Sequence, residues 1–179
     1  MLFNFSYRNI YDNIELNLYT CGYDICKSGH SYGPAVRSGY LIHIILSGKG
    51  IYRGNNQEHQ LKAGDGFLIY PDELIYYEAD QDEPWEYIWV GFTGTKVNDY
   101  LRYSTLTKEN PTFTLQKNSQ LYSAIHDIIE ATKLNSNKNL KIISTLYQFL
   151  YILLEEFPKQ VDEIKITPKM YVEEALAYI

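Results

Sequence analysis

Gly39-Tyr40-Leu41-Ile42-His43-Ile44-Ile45-Leu46-Ser47-Gly48-Lys49-Gly50 is the stretch of this sequence that decides the fold. Residues 39–46 are apolar on both faces of a strand, which is typical of a strand covered on two sides. The glycine-rich residues 47–50 that follow indicate a turn. His43 is the only polar residue in the apolar run, so we single it out as a candidate site residue.

Short strands separated by turn signals surround this stretch, from about residue 13 to residue 93. Residues 14–19 alternate apolar and polar side chains, the period of a half-buried strand. Gly54-Asn55-Asn56 indicates a hairpin because Gly and Asn tolerate positive φ. Further strands are predicted at residues 51–53, 57–61, 67–70, 74–77 and 85–92. Many short strands with regular turns predict an antiparallel sandwich or barrel.

Helical spacing replaces this pattern after about residue 95. Residues 96–103 could form a short helix, and a longer one is predicted from an N-cap at Ser119 to a stop at residues 135–137. The next helix carries a wide apolar stripe of Ile142, Leu146, Phe149, Leu150, Leu153, Leu154 and Phe157. The width favours a homodimer through the helices. The alternative is that the two helices pack only on each other and on the sheet.

The last residues predict a linker and the beginning of another element. Pro158 ends the second long helix, and a polar connector follows it. After Thr167-Pro168, the residues Val172, Ala175, Leu176 and Ile179 recur at helical spacing. Because this amphipathic helix has no C-cap, we expect that the chain is truncated and that a further domain follows.

Composition excludes several functions. The 179 residues suit one domain or one domain with an appendage, and 16 Lys and Arg against 22 Asp and Glu give a net charge of −6. That balance argues against nucleic-acid binding by this segment. No apolar run is long enough for a membrane span, and the two cysteines form no CxxC pair, so a cytoplasmic protein is expected. Thirteen of the 18 tyrosines and both tryptophans fall within residues 1–103.

The sequence lacks the motifs of the metal-dependent and nucleophilic enzymes that we considered. Metal enzymes on small β-barrels use a His-x-His pair with further His and Glu ligands, whereas the four histidines here, at positions 30, 43, 59 and 126, form no such pair. There is no Gly-x-Ser-x-Gly motif for a nucleophile. We therefore expect no catalytic residue, no metal and no cofactor.

The aromatic residues offer a better candidate site. In residues 85–92, alternation places Trp85, Tyr87 and Trp89 on one face, and Ile88, Val90 and Phe92 on the other. The first face supplies rings with polar tips, which can stack on sugars and bond their hydroxyls. Tyr77 lies on the preceding strand, and Arg37 could fork onto hydroxyls or a phosphate. The alternative is an aromatic core whose hydroxyls are satisfied internally.

Three motifs in order resemble the effector-binding half of AraC-type transcription regulators. They are residues 40–50, residues 61–71 (Leu-Lys-Ala-Gly-Asp-Gly-Phe-Leu-Ile-Tyr-Pro) and residues 85–92. Residues 21–37 look like the branch that regulates sugar and oligosaccharide use in Firmicutes. The resemblance covers nearly the whole chain.

This resemblance implies a cupin-like β-barrel that binds a small effector, helices that form a dimer, and a C-terminal helix-turn-helix domain that binds operator DNA. A sugar-stacking Trp of the arabinose-responsive member matches Trp89, and a Tyr contact matches Tyr77. A His contact falls on Tyr87, and a Thr contact falls near Asp24. The implied ligand-binding residues thus join His43 and Arg37 in one candidate set.

We therefore predict a mainly β fold with C-terminal helices. The effector-binding barrel with its N-terminal arm takes residues 1–106, the helical dimerisation region residues 107–158, and the linker with the start of the DNA-binding domain residues 159–179. The predicted function is to sense a small carbohydrate and transmit its binding to DNA-binding domains outside this chain. The alternatives are a small cupin enzyme such as a sugar isomerase, or a stand-alone carbohydrate-binding module.

Overall fold

The computed structural model describes residues 2–6 and 13–159. The described strands are β1 (Phe3–Ser6), β2 (Asn17–Ile25), β3 (Ser31–Val36), β4 (Tyr40–Ser47), β5 (Lys49–Gly54), β6 (Gln57–Lys62), β7 (Asp65–Ile69), β8 (Leu74–Ala79), β9 (Glu86–Thr93) and β10 (Thr112–Thr114). The described helices are α1 (Val97–Leu101), α2 (Leu121–Ala131) and α3 (Lys138–Glu156). The predicted fold class, mainly β with C-terminal helices, is confirmed.

Two antiparallel sheets face each other, as the alternation of the strands predicts. One has six strands in the order β1-β2-β9-β4-β7-β10, and the other has four in the order β3-β8-β5-β6. The strand chosen as decisive, β4, lies between β9 and β7 and is apolar on both faces because both are covered.

The six-stranded sheet separates two hydrophobic cores. On its outer side Ile88, Val90 and Phe92 pack against α2 and α3, and the rings of Phe92 and Phe149 lie 6.1 Å apart. On its inner side Tyr87 and Trp89 face the four-stranded sheet. The two faces predicted for β9 are therefore confirmed.

Most of the apolar surface predicted for α3 is buried within this chain. Of the predicted stripe on α3, five residues are buried within this chain: Ile142, Leu146, Phe149, Leu150 and Leu153. Intrachain packing, the alternative to the dimer, thus explains the width of this stripe. A second row on α3, which includes exposed Leu140 and Tyr151, is left outside this packing.

Several predicted boundaries differ from the structure. β2 begins at Asn17 and continues to Ile25, because it pairs along its length with β9 and at residues 20–23 with β1. β1, β3 and β10 were not predicted. β1 (FNFS) and β10 (TFT) alternate over only four and three residues, β3 (SYGPAV) does not alternate, and pairing holds β1 to β2, β10 to β7 and β3 to β8. The N-cap of α2 is Gln120, although the Ser119 hydroxyl accepts a hydrogen bond from the Leu121 amide at 3.2 Å.

Two predictions lie outside the described residues. These are the linker and helix predicted for residues 160–179 and the part of the N-terminal arm around Tyr7 and Tyr11. Within residues 2–6 and 13–159, no helix is both long enough and apolar enough to cross a membrane.

Candidate functional site

A cavity of about 290 Å³ lies between the two sheets, at the end where β1 and β2 form the edge of the larger sheet. All six predicted ligand-binding residues line it: Asp24, Arg37, His43, Tyr77, Tyr87 and Trp89. They come from five separate segments of the chain, so only the tertiary structure brings them together.

Cross-strand register builds the floor of this cavity. Gly22, Trp89, His43 and Phe67 lie side by side on β2, β9, β4 and β7. Gly22 is necessary in this row because a Cβ atom there would collide with the backbone carbonyl of Phe3 on β1 and with the indole of Trp89. Because Gly22 has no side chain, the Trp89 indole can lie over β2, where it lines the cavity.

A second row of rings faces the first from the smaller sheet. Tyr32, Tyr77 and Tyr52 are register partners on β3, β8 and β5. At one end of the two rows, Tyr52 stacks on Phe67 with ring centroids 4.5 Å apart, and the core is closed. At the other end, Tyr32 and Tyr77 remain part of the cavity wall.

His43 is the most deeply buried polar group of the site. Its side chain is 1% exposed, and its ring stacks on Phe67 at 4.6 Å and meets Tyr87 edge-on at 5.0 Å. Burial, together with the positive charge of Arg37, lowers the pKa of His43 from 6.5 to about 3. The imidazole is therefore neutral at physiological pH.

Arg37 brings a cation to the rim of the cavity. Its guanidinium lies 3.9 Å from the centre of the Tyr32 ring. Burial raises the pKa of Tyr77, and the charge and hydrogen bond of Arg37 oppose that rise. Among the described residues, neither Arg37 Nε nor His43 Nδ1 has a hydrogen-bond partner, although both atoms are buried.

Trp89 is linked to the N-terminal strand by a hydrogen-bonded chain. The indole Nε1 donates to Thr20 Oγ1 at 3.3 Å, and the Thr20 hydroxyl donates to Asn4 Oδ1 at 3.2 Å. Thr20 and Asn4 also line the cavity, and the sequence analysis did not select either. Thr20 could have been found from β2 alone, since it shares a face with Asp24 at even spacing.

Two other aromatic residues, Trp85 and Tyr70, are buried in the hydrophobic cores and do not line the cavity. Trp85 is fully buried and packs in the inner core without lining the cavity. Tyr70 donates its hydroxyl to the Leu106 carbonyl at 3.0 Å, as the alternative of an internally satisfied aromatic core predicts. Burial also raises the pKa of Tyr87 well above its ordinary value, so this phenol stays neutral.

A larger depression of about 630 Å³ lies away from these rings. Its lining includes Lys49, Lys62 and Asp80. Lys49 and Asp80 form an ion pair at 4.0 Å, and the Lys62 amide donates to Asp65 Oδ2 at 3.0 Å in a turn. The depression has no aromatic ring in its wall, so we take the smaller interior cavity as the candidate site.

Potential metal ligands also occur beside the cavity. Within the described part of the chain, one group of three such residues converges: Asp24, Cys26 and His30. The sequence analysis considered only histidine pairs and missed this mixed set. The spacing Asp-x-Cys-x3-His was the available signal.

The curated proteins that this chain resembles include three that are named as operon regulators or activators. The Msm operon regulatory protein of Streptococcus mutans is 37% identical over 172 residues, which cover 92% of this chain and 62% of that protein. The raffinose operon transcriptional regulatory protein RafR of Pediococcus pentosaceus is 28% identical, covering 93% of this chain and 62% of its own. The lactose operon transcription activator of Staphylococcus xylosus is 29% identical, covering 82% and 53%. The chain thus spans 53–62% of the length of these relatives.

Solved structures with a similar arrangement include YhaK from Escherichia coli, at 14% identity and a TM-score of 0.49, over 66% of this chain and 53% of that one. A cupin protein from Bacteroides fragilis aligns at 21% identity and a TM-score of 0.42, over 54% of this chain and 80% of its own. The family described as the AraC-like ligand binding domain matches residues 17–150, from β2 into α3. This match covers most of the chain, and the chain therefore belongs to the AraC-like ligand-binding domain family.

Proposed function

We propose that this chain is the effector-sensing part of a sugar-responsive transcription regulator that works in the cytoplasm and catalyses no reaction. The observation that carries the proposal is the cavity between the sheets, where Trp89 and two tyrosines surround buried polar atoms. Rings stack on the C–H faces of sugars, while Arg37 Nε and His43 Nδ1 can bond hydroxyls. A volume of about 290 Å³ is near the lower limit of ligand pockets, about 300 Å³, which suits a mono- or disaccharide.

The names of the relatives support a sugar as the effector. Two of them are named for raffinose and lactose operons, and the first is named as an operon regulator. A deeply buried neutral imidazole fits such a ligand, because a sugar offers hydroxyl groups rather than charges.

Binding is tested with a panel of mono- and oligosaccharides, including galactosides, by calorimetry and tryptophan fluorescence. We expect Trp89→Ala to weaken binding of the best sugar at least about tenfold, since a lost ring contact of about 1.4 kcal/mol corresponds to tenfold. Tyr122→Ala, at an exposed site on α2, is the control and should leave affinity unchanged. The proposal is wrong if no carbohydrate binds, and the site is wrong if Trp89→Ala binds normally.

Transmission is proposed to run through β1. Asn4 and Thr20 connect this strand to the Trp89 indole, so an effector stacked on Trp89 acts on the contact that holds β1 against β2. Differential binding to two placements of β1 would shift their populations and so reposition attached domains.

DNA binding is assigned by this proposal to a region outside this chain. The operon-regulator relatives are longer than the matched residues, and a net charge of −6 does not favour contact with phosphates. Operator binding by the longer protein, with and without the sugar, tests this assignment.

A homodimer through α3 is part of the proposal. Leu140 and Tyr151 are 74% and 59% exposed, and Ile143, Tyr147 and Leu154 continue the same row at helical spacing. Light scattering should show a dimer that Leu140→Glu converts to a monomer. Leu134→Glu, at an exposed residue outside α3, is the matched control. A wild-type monomer at high concentration would contradict dimerisation and favour a stand-alone module.

A further inference from the structure

The three potential ligands beside the cavity are held in place by main-chain contacts. Asp24 lies near the end of β2, Cys26 follows that strand, and His30 immediately precedes β3. The Cys26 amide donates to the Trp85 carbonyl at 3.2 Å, and the His30 carbonyl accepts from the Ala79 amide at 2.9 Å. These two hydrogen bonds anchor the connection between β2 and β3 to both sheets, and they fix the backbone of Cys26 and His30 at its two ends.

The donor atoms of these residues converge on one point. A carboxylate oxygen, a sulfur and an imidazole nitrogen all lie within 4.8 Å of one another. Cys26 Sγ is 4.0 Å from Asp24 Oδ2. In a tetrahedral zinc site, Zn–S and Zn–O bonds of about 2.3 and 2.0 Å place the two atoms about 3.5 Å apart. A contraction of about half an ångström therefore brings this pair of atoms to the separation of a zinc site, and the imidazole nitrogen lies within 4.8 Å of both.

We propose that Asp24, Cys26 and His30 bind one divalent transition-metal ion of the zinc type at the rim of the cavity. The mixture of thiolate, imidazole and carboxylate selects Zn²⁺ over Mg²⁺ or Ca²⁺, which prefer oxygen ligands alone. Cys26 is 7% exposed, whereas His30 is exposed, so the ion reaches the site from solvent. The Cys26 thiol releases its proton to solvent on coordination.

Three protein ligands leave one position of a tetrahedral ion open. Asp24 and His30 also line the cavity, so we place that open position toward the cavity, where water or a ligand hydroxyl can occupy it. The ion site itself does not depend on the proposed function. Its influence on effector affinity does rest on that function, because it requires a sugar to bind beside the ion.

The experiment uses the full chain without an affinity tag, stripped with a chelator and titrated with Co²⁺. We expect one equivalent to produce the thiolate-to-cobalt charge-transfer band and the d–d bands of a tetrahedral site, and Zn²⁺ to displace it. Cys26→Ser should abolish the charge-transfer band. His30→Ala should weaken Zn²⁺ binding by more than about 100-fold, the upper end of what loss of an outer-shell partner costs. His30 is exposed, so this variant tests the site even if Cys26→Ser does not fold.

Cys21→Ser is the matched control. Cys21 is the other cysteine of the chain and lies in the outer core, on the far side of the sheet. The proposal is overturned if Co²⁺ gives no thiolate band, if His30→Ala binds Zn²⁺ normally, or if Cys21→Ser rather than Cys26→Ser removes the band. Sugar titration of the metal-free and Zn²⁺-loaded chain separates the two proposals. Zn²⁺ binding without sugar binding keeps the metal site and refutes the sugar sensor, whereas sugar binding without Zn²⁺ binding does the reverse.

Discussion

The buried histidine makes the stability of this domain depend on pH in a calculable way. His43 has a pKa of about 3 in the folded chain against 6.5 in an accessible imidazole. Because the unfolded chain takes up the proton first, folding loses stability as the pH falls from 6.5 to about 3. The full effect is about 5 kcal/mol, and at pH 5 about 2 kcal/mol is already lost, at 1.36 kcal/mol per pH unit.

The two phenols that face His43 do not titrate in this range. Burial raises the pKa of Tyr77 and of Tyr87, which therefore remain neutral. The imidazole stacks on Phe67 without bonding through Nδ1 to any described residue. A phenyl ring can therefore replace it with little change in packing.

The assay is urea unfolding of the wild type and His43→Phe at pH 7 and at pH 5. Carboxylates and the other three histidines contribute equally to both proteins, so the difference between the two pH dependences isolates His43. We expect the variant to lose about 2 kcal/mol less than the wild type between the two pH values. Equal losses in the two proteins would refute the assignment of a neutral, buried imidazole.

Three further substitutions test the packing around the site. Gly22→Ala places a methyl group against the Trp89 indole and should cost about 1–3 kcal/mol of unfolding free energy and lower sugar affinity, as measured by urea unfolding and calorimetry. Phe149→Ala leaves a cavity at a fully buried position between helix and sheet and should cost about 3–5 kcal/mol, whereas Tyr122→Ala, exposed on α2, should cost less than about 0.5 kcal/mol in the same unfolding assay. Thr20→Val removes the hydroxyl that accepts from Trp89 and should cost about 1 kcal/mol, with hydrogen exchange rising in β1; unchanged exchange would contradict the proposed link.

The tyrosine-rich first half of the chain now has two structural explanations. Tyr52 and Tyr70 are buried in the packed cores, where they serve as large apolar groups. Tyr32, Tyr77 and Tyr87 line the cavity. Composition could show the excess of tyrosine but could not separate core tyrosines from those that line the cavity, because the burial of a ring depends on which strand lies opposite.

Local pattern was sufficient where one strand determines the outcome. The alternation in β9 predicted which residues face the helices and which face the other sheet, because successive side chains on a strand must point to opposite faces. The same reasoning did not predict β3 or β10. The residues of β3 carry no clear alternation, those of β10 alternate over only three positions, and pairing with β8 and β7 determines the extent of the two strands.

The sequence by itself determined the fold class, the two faces of β9 and the set of rings and polar groups that could meet a sugar. Only the tertiary structure decided that they do meet. Trp89 adjoins His43, which lies 46 residues earlier in the sequence, because β9 pairs with β4 in the register that places these two residues opposite each other. Tyr77 faces them from the other sheet. The tertiary structure also brings the side chain of His30 close to those of Asp24 and Cys26. Such contacts depend on long-range pairing and register, which no periodicity within a single segment can specify.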